Sequence, residues 1–111
     1  MSAREERIGL NEAVFREVNE RIEGLAETFE LSQEPLDFIC ECGDATCVRR
    51  ISMTRREYEQ LRSEPHQFAV HPGHENLDVE SVVARRNGYD IVQKDEGAPE
   101  RIAEQTDPRQ A

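Results

Sequence analysis

Three cysteines and three histidines carry the chemistry of this chain. Cys40, Cys42 and Cys47 lie within eight residues, in Cys40-Glu41-Cys42-Gly43-Asp44-Ala45-Thr46-Cys47. His66, His71 and His74 follow within thirty residues of that stretch. Thiolates spaced C-x-C-x4-C can ligate a soft divalent ion, but three sulfurs do not complete a tetrahedral shell. An imidazole is the expected fourth donor. His74 ranks first, because Pro72-Gly73 directly before it makes a sharp turn that can aim its ring back at the sulfurs. His71 ranks second, extended before Pro72. His66, after Pro65 at a helix terminus, ranks third. The site expected is a structural zinc held by Cys40, Cys42, Cys47 and His74.

Other uses of the thiols fit less well. A C-x-C disulfide is strained and leaves Cys47 and the histidines unexplained. An iron–sulfur cluster normally takes four cysteines. A zinc hydrolase needs an open coordination position and a base. Glu75, Asp44 and Glu41 are near enough in sequence to supply a base, but three thiolates reduce the Lewis acidity of zinc. No H-E-x-x-H, P-loop or G-x-S-x-G motif is present.

Around the cysteines the sequence lays out short elements. Phe38-Ile39 ends a first strand, and 47–53 reads as a second. Gly43-Asp44 is read as the tight turn between them, with Gly43 at positive φ. Thr54-Arg55-Arg56-Glu57 fits a capping box and opens a helix to about Ser63, with Tyr58 and Leu61 inward. Residues 68–71 form a third strand. Asn87-Gly88 between 79–86 and 89–94 signals a hairpin, although Val82-Val83-Ala84 also tolerates a helix. Residues 36–94 are therefore expected to form a small α+β domain, a ββαβ unit followed by a β-hairpin.

Thr54-Arg55-Arg56-Glu57-Tyr58 and Pro72-Gly73-His74-Glu75, taken with Cys40-x-Cys42-Gly43 and Cys47, resemble a family of small uncharacterised bacterial proteins. They are mainly actinobacterial and are described as zinc-finger-like. The resemblance extends from residue 1 to about residue 94. It implies a cytoplasmic bacterial protein with Cys40, Cys42, Cys47 and His74 as the matching positions. It implies no activity.

Before the cysteines, Leu10, Val14, Val18, Ile22, Leu25 and Phe29 recur every three or four residues, one stripe of an α-helix. Residues 1–35 are read as an amphipathic helical arm, capped near Asn11 and ended by Pro35. Its stripe is expected to pack on the domain and to offer a seam for a homodimer or another protein partner. Residues 95–111, with Pro99, Pro108 and one large apolar residue, Ile102, are read as a disordered acidic tail.

Composition narrows the partners. The 111 residues are 36% hydrophobic and 34% charged, with no Trp. A core from this stock is small, and a metal would compensate for it. The net charge of −10 opposes nucleic acid and anionic lipid in bulk. Its distribution is −5 over 1–35, −2 over 36–94 and −3 over 95–111. Three pairs, Arg49-Arg50, Arg55-Arg56 and Arg85-Arg86, leave a nucleic-acid-binding regulator open as an alternative to a protein-interaction module. The sequence shows neither a membrane span nor a secretory leader, and three cysteines do not make an extracellular disulfide scaffold. The location expected is the cytoplasm.

Overall fold

A computed structural model describes residues 3–29 and 34–109. The fold is α+β. A long helix α1 (Ala3–Thr28) precedes strands β1 (Pro35–Ile39) and β2 (Arg50–Thr54), helix α2 (Arg55–Arg62), strand β3 (Gln67–Val70), strands β4 (Glu80–Arg85) and β5 (Asp90–Lys94), and helix α3 (Ala98–Gln105). The strands make two antiparallel sheets. One is β1–β2, in which Phe38 faces Ile51. The other has the order β3–β5–β4. The expected capping box is present: Thr54 accepts from the Glu57 N–H at 3.1 Å, and Glu57 accepts from the Thr54 N–H at 2.8 Å. The hairpin forms around Asn87-Gly88, and Val82-Val83-Ala84 is a strand with an irregular register between Val82 and Ala84. Pairing along β5 outweighs the local helical option there.

The apolar core has two patches. Phe38 stacks on Tyr58, centroid to centroid 4.6 Å, among Ile51, Met53 and Leu61. Phe68, Val70 and Val92 pack with Cys40, Cys42 and Ala103. Between them runs a buried polar layer contributed largely by α1. Glu12, Arg16, Asn19 and Glu23, spaced four, three and four apart, are all buried. Lys94 Nζ reaches Glu12 at 2.5 Å and Glu80 at 2.7 Å. Arg16 lies 4.5 Å above the Phe68 ring and donates to the carbonyls of Pro65 and Ala103, each at 2.8 Å.

This polar face corrects the expectation for the arm. The stripe of Leu10, Val14, Val18, Leu25 and Phe29 points outward, each residue between 39% and 69% exposed, and only Ile22 packs on the core. Helical periodicity identifies a stripe but not the side that faces the domain. Here hydrogen bonds to buried main-chain groups turn the polar side inward. Nor is Asn11 a cap. The helix begins at Ala3, and Asn11 donates to the Gly43 carbonyl at 2.9 Å. Pro35 does not stop the helix, which ends at Thr28; it opens β1.

The reading of 95–111 as disordered also changes over Ala98–Gln105. These residues form α3, whose Ile102 and Ala103 are buried. Residues 110–111 lie outside the described residues. The composition of the segment is too polar to order itself, but distant side chains hold it. Arg16 satisfies the Ala103 carbonyl, Arg62 bonds Asp107 at 3.0 Å, and Arg109 bonds Glu59 at 2.9 Å through both terminal nitrogens. The helix end thereby gains partners for carbonyls it cannot pair internally.

Candidate metal centre

The β1–β2 ladder runs one bond past Ile39, with the Cys40 N–H donating to the Arg49 carbonyl at 3.0 Å. Side chains alternate across an extended segment. Cys40 and Cys42 share one side, and Glu41 points to the other. The loop then turns on Asp44, whose carboxylate accepts from the Thr46 N–H at 2.9 Å and the Thr46 hydroxyl at 2.7 Å. Those bonds hold the exposed Asp44 carboxyl below its usual range. The Cys47 N–H donates to the Asp44 carbonyl at 3.0 Å, which brings the third sulfur back to the first two.

Gly43 serves this loop differently from expectation. Its φ is not positive; instead a Cβ there would lie 2.5 Å from the Ile8 side chain on α1, so glycine permits the close approach of helix and loop. Positive φ occurs at Gly73, +90°. With Pro72 before it and the His74 N–H donating to the His71 carbonyl at 2.9 Å, this is the expected tight turn.

The turn delivers His74 Nδ1 to 3.6 Å from Cys40 Sγ and 3.5 Å from Cys47 Sγ. The three sulfurs and a ring nitrogen of His74 all lie within 4.8 Å of one another. Metal–sulfur bonds of about 2.3 Å and a metal–nitrogen bond of about 2.0–2.1 Å in a tetrahedron imply S···N edges near about 3.6 Å. The donor set therefore fits a single metal ion. Cys40 and Cys42 are buried, Cys47 and His74 half-buried, and none of the three cysteines is in a disulfide.

The electrostatics suit a thiolate site. Cys42 is held at about 5, chiefly by donation from the Cys40 thiol, helped by the Asp44 N–H and His74 and opposed by burial. The Cys40 thiol is pushed up by that same bond and by burial. Burial also raises Cys47. Only a cation among the sulfurs would let all three ionise together. The His71 N–H donates to Cys40 Sγ at 3.1 Å, which stabilises charge on that sulfur.

The other histidines stand elsewhere. His71 Nε2 accepts from Arg49 at 2.8 Å, and its Nδ1 faces the Pro72 carbonyl at 3.1 Å, so both ring nitrogens are engaged. His66 Nε2 meets Glu104 at 2.7 Å on α3 and, with Glu100, forms a separate surface group. The Arg pairs are largely drawn into the chain's own contacts. Arg49 holds His71, Arg55 holds Glu23 at 2.6 Å, Arg85 holds Asp90 at 2.8 Å, and Arg50 lies 3.9 Å from Asp37.

Glu41, read from the sequence only as a candidate base, has a structural role that sequence reasoning missed. It is fully buried, and its carboxylate accepts from Asn19 Nδ2 at 2.9 Å, the Tyr58 hydroxyl at 3.1 Å and the Ala69 N–H at 3.0 Å. Its own N–H donates to the Ala69 carbonyl at 2.8 Å. One residue between two candidate ligands thus ties the loop to α1, α2 and β3. The signal was the alternation in C-x-C, which sends the middle residue inward when both cysteines face the His74 cluster.

Comparison of the chain with protein families, curated proteins and solved structures gives no match.

Proposed function

We propose that this chain is a zinc-stabilised protein-interaction module of a bacterial cytoplasm, with the metal in a structural role. The observation that carries the reading is the convergence of Cys40, Cys42 and Cys47 Sγ with His74 Nδ1. Three thiolates and one imidazole are the donors that tetrahedral zinc prefers over magnesium or calcium.

A structural role is supported by the saturated donor set and by the surroundings. Four protein ligands leave no position for water. Glu41, the carboxylate inside the motif, is committed to Asn19, Tyr58 and Ala69 and is not free to act as a base. The loops that would hold the ion join the two core patches, so binding would be coupled to folding. Three cysteines outside any disulfide fit a reducing compartment. An interaction role is supported by the outward apolar row of α1.

The experiment is elemental analysis of the purified chain with cobalt substitution. The reading expects about one zinc per chain and a tetrahedral cobalt spectrum that exchangeable anions leave unchanged. Cys47→Ser and His74→Ala should each weaken binding, whereas His71→Ala and His66→Ala should not. A spectrum that changes with added ligand would mean an open position and an enzyme instead.

A further inference from the structure

The apolar row on α1 has no counterpart within the described residues. Leu10, Val14, Val18, Leu25 and Phe29 are exposed on the side away from the buried Glu12, Arg16, Asn19 and Glu23. An exposed apolar row on a helix this polar marks an interface.

The order of the row selects its occupant. Leu10 and Phe29 are equidistant in sequence from the point between Asn19 and Glu20, and so are Val14 and Leu25. Val18 lies beside the same point, while Ile22, on its other side, is turned to the core. A two-fold axis there sets Leu10 across from the partner's Phe29 and Val14 across from the partner's Leu25, and brings the two Val18 residues to within about 4.5 Å of each other along the helix direction. Leu10, Val14, Leu25 and Phe29 then each meet an apolar residue of the other copy. An isologous contact of this kind is self-complementary by construction.

The charges are centred within half a residue of the same axis. Glu17 and Arg21 form a loose pair within the helix, 3.6 Å apart, with side chains 61% and 80% exposed. They lie on either side of the axis, on the outward face. Antiparallel pairing brings Glu17 of each copy to Arg21 of the other. Parallel pairing in register would set Glu17 on Glu17 and Arg21 on Arg21, which is repulsive. Antiparallel helices also oppose their dipoles. The four-residue steps 10, 14 and 18 form an exposed ridge of the kind that packs into the grooves of a second helix.

We propose that a second copy of this chain covers the row, in an antiparallel α1–α1 dimer whose two-fold axis passes between the levels of Asn19 and Glu20. The inference rests on the interaction part of the proposed function and names its partner; it does not depend on which metal the cysteines hold.

The test is analytical ultracentrifugation of the full chain alongside Val18→Glu and Leu25→Glu. Both residues are exposed in the single chain, so the fold and the metal content should survive. The proposal expects a wild-type dimer and an increase of about tenfold or more in the dissociation constant of each variant, as a charge placed in an apolar seam implies. Orientation is read separately, by photo-crosslinking with benzoylphenylalanine in place of Leu10. The crosslink should fall near the partner's Phe29. A wild-type chain that stays monomeric at millimolar concentration overturns the proposal. So does a dimer indifferent to both substitutions, a crosslink near the partner's Leu10, or a row that binds only a different protein. Zinc measured on the same samples keeps the two readings apart: a monomer with one zinc per chain removes the dimer alone.

Discussion

The Asn19 side-chain amide pairs with both main-chain groups of Ile39. Its Nδ2 donates to the Ile39 carbonyl at 2.9 Å, and its Oδ1 accepts from the Ile39 N–H at 2.9 Å. A helix side chain thereby takes the place of a neighbouring strand, one residue before the first metal-ligand candidate. The same Nδ2 reaches Glu41, so the position of the C-x-C segment is set from α1.

Asn19→Ala should therefore do more than loosen a helix. It leaves two main-chain groups of Ile39 without partners, at about 1–3 kcal/mol each where water cannot replace them. The expected loss is about 2–4 kcal/mol in denaturant unfolding, with weaker metal retention in chelator competition. Unchanged metal affinity would show that the loop holds its shape without α1.

Glu41→Ala removes the acceptor shared by Asn19, Tyr58 and the Ala69 N–H. Each buried donor left without an acceptor costs about 1–3 kcal/mol. The variant should lose thermal stability even in excess zinc, although no metal ligand has changed. Glu41→Gln, which keeps the shape, should lose less.

These inward polar residues also show what was legible in the sequence. The strands, the capped helix α2, the hairpin and the convergence of Cys40, Cys42, Cys47 and His74 could be read because each is announced locally, by alternation, by Thr54 and Glu57, by Asn87-Gly88, or by cysteine spacing and the Pro72-Gly73 turn. The facing of α1 and the ordering of α3 could not. Both depend on Arg16 and Asn19 meeting main-chain groups 20 and 87 positions away in sequence. Periodicity of Leu10, Val14 and Val18 suggested the opposite face because apolar residues usually turn inward. Here the polar row 12, 16, 19 and 23 has the same period and better partners.

Arg16→Met tests the ordering of α3. The substitution keeps much of the packing on Phe68 but withdraws the donors to Pro65 and Ala103. Hydrogen exchange should accelerate through 98–109 ahead of the sheets, and a protease should cut there first. Equal protection of α3 in the variant and the wild type would contradict the account.

Stability should depend on pH through the buried group Glu12, Glu80 and Lys94. Burial pushes Glu12 up to about 8 from 4.5, with Glu80 adding to the rise and Lys94 opposing it. The folded chain then keeps a proton that the unfolded chain gives up. Its contribution is full below pH 4.5, declines as the pH rises and is gone above about 8. Metal ligation carries its own pH dependence, so the informative quantity is the difference between Glu12→Gln and the wild type. It should shift in favour of the variant from about pH 5 to about pH 9 in denaturant unfolding. A constant difference would contradict a retained proton.

The central claim is that Cys40, Cys42, Cys47 and His74 hold one zinc ion in a closed shell. X-ray absorption at the zinc edge, on chain purified under reducing conditions, tests it most directly. The expected result is one zinc per chain with three sulfurs at about 2.3 Å and one nitrogen at about 2.0–2.1 Å. A first shell dominated by oxygen, or a folded chain that carries no zinc, would contradict it.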